Sequence, residues 1–265
     1  MPYDVIYFSH GGGPLPLMDD PGHRAMIAFM RALPCQVIQP KRIVVFSAHW
    51  EEPQPTVISA AQPSLFYDYY GFPPETYRYQ YPAPGDPALA RAMAESLTQQ
   101  GIPARLAEQR GLDHGVFVPL LLSFPQADIP VSQVSLIQGL DPSRHLELGA
   151  ALRPFRDGST LFIGSGFSFH NMRAFSWSQN PTPDSANDQF QDWLIETTGP
   201  TLTQPERVEQ LRNWTEAPSA RYCHPREEHL LPLHVCAALA DAPGEIVFDD
   251  AILGKRGIAV AWHRR

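Results

Sequence analysis

Short apolar, β-branched runs alternate along the chain with longer stretches whose apolar residues recur at helical spacing. Runs at residues 4–8, 42–47, 131–137, 160–163, 245–248 and 257–262 predict strands. Helical patterns cover residues 22–33, 87–100, 115–124, 142–155, 186–197 and 229–239. Two of these helices open with cap chemistry. Asp86-Pro87 and Asp141-Pro142 each set a capping carboxylate before a proline at the first helical position. Strand–helix alternation of this kind predicts an α/β fold with a mainly parallel central sheet flanked by helices. No internal repeat, low-complexity tract or linker interrupts the pattern, so the reading is a single domain over residues 1–265.

Composition narrows the classes of partner. Hydrophobic residues make up 43% of the chain, enough for a substantial core, and the net charge is −8. No lysine- or arginine-rich run exists, which argues against nucleic acid and against an anionic membrane surface. The start, MPYDVIYFSH, lacks the features of a signal peptide, and the longest apolar run, at 116–122, is far too short to span a bilayer. Cys35, Cys223 and Cys236 are too few and too scattered for a disulfide framework. A cytoplasmic protein, monomer or homodimer, is the expectation. The 28 prolines are about twice the usual share. Many are interleaved with Tyr67, Tyr69, Tyr70, Tyr77, Tyr79 and Tyr81, which predicts an ordered aromatic loop. That loop either lines a pocket or packs as a purely structural element.

Histidine placement points to chemistry. His10 closes VIYFSH, His49 closes IVVFSAH, and His170 follows LFIGSG after a short turn. Each therefore follows a predicted strand, at the sheet edge where loops diverge and ligands bind. A single histidine there would ordinarily cap a carbonyl; three together can converge on one ion. HPREEHLLPLHV adds His224, Glu227, Glu228, His229 and His234 at the start of a predicted helix. Imidazole suits zinc, copper and iron, and carboxylate widens the choice. Acidic residues also favour a helix N-terminus through its dipole, so Glu227 and Glu228 have a structural explanation. His234 lies about 140° around the helix from His229 and is read as packing. His114, in DHG, has Asp113 beside it as a cap or orienting carboxylate. His145 falls on an amphipathic helix as a surface or packing residue, and His23 and His263 have no supporting context.

Six segments taken together resemble the class III extradiol ring-cleaving dioxygenases, in particular their small single-chain branch similar to DOPA 4,5-dioxygenase. They are SHGGGP, VVFSAHWE, YDYYGFPPETYRYQYPAPGDP, GLDHGVFVPL, SGFSFHN and HPREEHLLPLHV, and they span nearly the whole chain. The resemblance implies metal ligands at His10, His49 and His229. It sets His170 near the metal, as an acid/base or a further ligand, and His114 in contact with substrate. It implies iron(II) as the working metal, with zinc(II) able to occupy the site in purified protein, and a catechol and O2 as substrates. Two departures stand out. The usual triad of non-haem iron oxygenases has a carboxylate where His229 stands, and Glu228 is adjacent. Phe167 and Phe169 are also larger than the residues the family often has before the histidine. From the residues alone, three histidines equally describe a catalytic zinc hydrolase site. A non-catalytic binding protein on the same scaffold is the third class.

Overall fold

The computed structural model describes residues 1–176 and 183–264. All six predicted strands are present, at Tyr3–Ser9 (β1), Arg42–Glu52 (β2), Val131–Ile137 (β5), Thr160–Gly166 (β6), Glu245–Ile252 (β7) and Lys255–His263 (β8). Two three-residue strands, Thr56–Ile58 (β3) and Arg105–Ala107 (β4), add to them. The sheet runs β4-β3-β5-β2-β6-β1-β8-β7. Its interior, β5-β2-β6-β1, is parallel throughout. Antiparallel pairing is confined to the flanks, where β3 meets β5, β8 meets β1 and β7 meets β8. The interior strands are almost wholly buried because both of their faces are covered, and even the polar Ser132, Gln133 and Ser135 of β5 lie inside. The margin strand β7 carries exposed Asp249 and Asp250, charges that blunt an open edge.

The helices are Arg24–Ala32 (α1), Pro87–Gln99 (α2), His114–Ser123 (α3), Pro142–Ala151 (α4), Ser185–Thr198 (α5), Gln204–Arg212 (α6), Ala220–Cys223 (α7) and Leu231–Ala240 (α8). Both predicted caps form: Asp86 accepts from the Leu89 amide at 2.9 Å and Asp141 from the Ser143 amide at 2.7 Å. The last predicted helix begins two residues later than expected, so His229 lies in the turn before α8. Successive residues of β6 face opposite ways, as a strand requires. Gly164 and Gly166 abut Pro232 of α8 and the turn before it, while the Ser165 hydroxyl reaches the Gly115 carbonyl of α3. So α8 and α3 lie on opposite faces, and α4 packs against α8 with Gly149 close to the Val235 carbonyl. One apolar cluster continues from Val5 to Trp262. Among the described residues, no helix is long and apolar enough to cross a membrane.

Histidines outside the sheet edge have structural uses. His145 is fully buried, accepts from the Ile137 amide at 3.1 Å and donates to the Asp141 carbonyl at 2.8 Å, tying α4 to the end of β5. His234 is buried against the Leu211 carbonyl at 2.7 Å, as packing predicts. His263 stacks on Tyr3 and pairs with Glu245.

Candidate metal centre

Five imidazoles meet at the carboxyl ends of the interior strands. His10 follows directly on β1, and its amide bonds to the Gly166 carbonyl at 3.0 Å. The chain then turns sharply through Gly11, whose φ of +87° and close neighbours Pro16, His23 and Met26 leave no room for a side chain. His23 has a purpose here that the sequence did not reveal: its Nε2 accepts from the Gly12 amide at 3.0 Å and holds that turn.

His49 lies inside β2 rather than beyond it, because the strand continues to Glu52. Between Phe46 and Glu51 the register with β5 slips: five positions on β2 match only two, Val134 to Leu136, on β5. The extra residues bulge out and re-aim the side chain. Ser47 pins the bulge, accepting from the His49 amide at 3.2 Å and donating to Asp113 at 2.7 Å. Asp113 is fully buried and makes no side-chain cap to α3; Ser47 and Gln133 hold its carboxylate instead. Burial pushes its carboxyl above the ordinary range, with nearby Asp68 adding to the effect.

The first amide of α3 goes to Asp68, from the tyrosine-rich loop, at 2.9 Å. The same Asp68 oxygen lies 2.8 Å from His114 Nδ1, and its other oxygen lies 3.6 Å from His49 Nδ1. Although burial raises the Asp68 carboxyl, its bonds to His114 bring it below the ordinary value. The loop is ordered, as predicted. Tyr67 and Tyr69 donate to loop carbonyls, those of Tyr79 and Thr76, and Tyr81 donates to the Phe124 carbonyl. Its clearest contribution to the site is thus a carboxylate. Nothing in the sequence singled out Asp68 within that tyrosine-rich segment.

His170 follows β6 and is held by α7: its amide donates to the Cys223 carbonyl, and the Asn171 side chain donates to the Tyr222 carbonyl. Its ring stacks on that of His229, centroids 3.4 Å apart and planes 18° apart. Glu228 Oε1 lies 3.0 Å from His229 Nδ1 and 3.3 Å from His170 Nδ1. Arg226 links Glu228 to Glu51 of β2. A cleft of about 430 Å³ opens beside His170, lined by Asn171, Met172, Arg173, Pro225, Arg226 and Glu228.

The His229 carbonyl is clamped from three directions. It accepts from Tyr7 Oη and the Phe167 amide, both at 3.0 Å, and faces Gly166, where an added Cβ would collide with it. Gly166→Ala is therefore expected to push the His229 turn outward. The cost should be about 1–3 kcal/mol of stability, as for other overpacked sites. Urea unfolding of metal-free protein, with metal content alongside, checks this; unchanged values for both would contradict it.

Hydrogen bonding assigns the tautomers. Ser165 donates its proton to the Gly115 carbonyl, so it must accept from His10 Nδ1, 3.0 Å away. His229 Nδ1 faces the Glu228 carboxylate at 3.0 Å, an acceptor, while the negative charge of Asp68, 3.6 Å from His49 Nδ1, favours the same tautomer there by electrostatics. His10 and His229 thereby keep Nε2, with its lone pair, as the free nitrogen, and the Nε2 atoms of His10 and His49 are only 2.9 Å apart. Burial, reinforced by neighbouring imidazoles, holds all three rings well below the usual histidine pKa, so they are neutral at pH 7. Two such lone pairs repel unless a proton or cation lies between them. The ring centroids of the three are 4.8, 5.0 and 5.2 Å apart. A metal about 2.1 Å from each nitrogen, at angles of about 90–109°, requires centroids roughly 4.5–5.2 Å apart. The residues therefore fit a divalent ion. His114 and His170 adjoin these rings: donor atoms lie within 4.8 Å of one another in two separate groups, His10–His49–His114 and His170–Glu228–His229.

Comparison with known proteins agrees with this architecture. The family model for the catalytic LigB subunit of aromatic ring-opening dioxygenase matches residues 6–252. Dioxygenase tasH of Hapsidospora irregularis is 40% identical over 253 residues, covering 89% of this chain and 78% of its own length. A 4,5-DOPA dioxygenase extradiol of Beta vulgaris is 37% identical over 246 residues, covering 89% of this chain and 87% of its own. The crystal structure of an uncharacterized protein from Escherichia coli K12 superposes with a TM-score of 0.78 at 26% identity, covering 97% of this chain and 98% of that one. With this sheet, this histidine cluster and these relatives, the chain belongs to the LigB family of class III extradiol, aromatic ring-opening dioxygenases.

Proposed function

We propose that the protein cleaves a catechol-type ring by the extradiol route with O2, using iron(II) held by His10, His49 and His229. The observation that supports the reading is the packing of the His10, His49 and His229 rings, centroids 4.8–5.2 Å apart, with His114 and His170 beside them. Iron(II) bound there would let triplet oxygen react with the singlet ring by passing electrons between the two. The remaining work falls to side chains. His170, its Nδ1 turned to Glu228, offers Nε2 to take a proton from a catechol hydroxyl. The carboxylate beside it stabilises the imidazolium that results. The same ring can return that proton to an oxygen of the opening product. His114, its Nδ1 bonded to Asp68, presents Nε2 to orient the second hydroxyl or the oxygen. The cleft beside His170 receives the ring's side chain, and the buried walls around His10 and His229 keep bulk water away.

Two observations favour this over the zinc hydrolase or a pure binding protein. The relatives above are named as dioxygenases, and a binding site has no use for the orienting pairs at His114 and His170. The test is anaerobic reconstitution with iron(II), then an oxygen electrode and a screen of catechols that carry a side chain. Stoichiometric oxygen uptake with a yellow ring-opened semialdehyde is expected. If iron protein consumes no oxygen with any catechol while zinc protein hydrolyses esters or lactones, the hydrolase reading replaces this one.

A further inference from the structure

The tyrosine-rich loop reaches the centre through a carboxylate that no sequence motif singled out. Asp68 is largely buried and makes three contacts: the His114 amide at 2.9 Å, His114 Nδ1 at 2.8 Å and His49 Nδ1 at 3.6 Å. Its counterpart across the cluster is Glu228, which faces both His229 and His170. Each carboxylate thus adjoins one histidine of the converging triad and one beside it. We infer that Asp68 is a positioning residue that fixes the tautomers of His49 and His114 together, so that one loop sets both metal retention and substrate orientation.

The chemistry follows from which atoms can donate. A carboxylate is an acceptor at both oxygens, so His114 turns its N–H toward it, and its charge favours the same turn in nearby His49, which leaves Nε2 free in both. Metal-ligating histidines depend on such partners, whose loss commonly lowers metal affinity by roughly 10–100-fold. Asp68 also takes the first amide of α3, a purely structural task at which asparagine is as good as aspartate. Asparagine therefore separates the two roles. The His114 backbone amide can only donate, so in Asp68→Asn it pins the side-chain oxygen of the new amide in place. The NH2 group is then left toward His49 Nδ1, where it favours the tautomer with a proton on Nε2 and blocks that nitrogen.

The inference rests on the three-histidine metal reading. Asp68→Asn and Asp68→Ala are compared with the unaltered protein by thermal unfolding of the metal-free forms and by competition with a chelator for cobalt(II). The cobalt visible spectrum reports the donor set without any need for turnover. Asp68→Asn is expected to unfold as the unaltered protein does, yet to bind cobalt roughly 10–100-fold more weakly and with an altered spectrum. Asp68→Ala should lose the same affinity and also unfold earlier. If Asp68→Asn binds cobalt with unchanged affinity and spectrum, Asp68 is only a cap and the inference is wrong. Failure of the underlying reading looks different: the unaltered protein would then give no cobalt complex with histidine ligation at all.

Discussion

His229→Ala will leave the protein folded but stripped of its metal. On the proposed reading His229 is the third ligand, its ring 5.2 Å from that of His10 and 5.0 Å from that of His49. Losing a ligand should cost more than the roughly 10–100-fold penalty of losing an outer partner, so purified protein should carry little metal. Fold should survive because the clamp on residue 229 uses its backbone carbonyl, which alanine keeps. Elemental analysis with circular dichroism measures both. Near-normal metal content would instead move the third ligand to Glu228. That move would require Glu228 to give up its contacts with His229 and His170.

His170→Ala should behave in the opposite way, keeping its metal and losing turnover. Removing a proton shuttle typically costs about 10²–10⁴-fold in rate. His229 would still be oriented by Glu228 and by its carbonyl clamp, so no ligand is disturbed when the stacked ring goes. Iron content and turnover per bound iron, measured on the same preparation, separate the cases. Loss of iron would make His170 a fourth ligand. Normal iron with normal turnover would remove it from the chemistry altogether.

The sheet interior was legible because strands buried on both faces keep apolar cores, VIYF in β1, IVVF in β2 and LFI in β6; β5 mixes its apolar residues with Ser132, Gln133 and Ser135. β3 and β4 were not, since three residues at a sheet margin make too short a signal. Helix α6 buries only Arg207 and Leu211, so no apolar stripe marks it. Its Thr203–Glu206 capping box was nevertheless there to be read. At the site, the five histidines stood out by residue type and position. Their partners did not: Ser165, Ser47 and Asp68 are ordinary polar residues whose role exists only once distant segments meet. The bulge that brings His49 inward was equally hidden, because a slip in register belongs to two strands at once.

The wide spacing of the histidines along the sequence has a consequence for biosynthesis. His10 leaves the ribosome early, but His229 follows almost every element of the sheet. β1 also waits for both of its neighbours, since β6 and β8 are made long after it. Until then its apolar residues have nothing to pair with, and such exposed strands invite aggregation during synthesis. A growing chain therefore lacks the third proposed ligand until residue 229 has emerged. On the proposed three-histidine reading, a metal ion is taken up only after translation, by a chain that has already closed its sheet, and cells starved of that metal would accumulate folded apoprotein rather than stalled fragments.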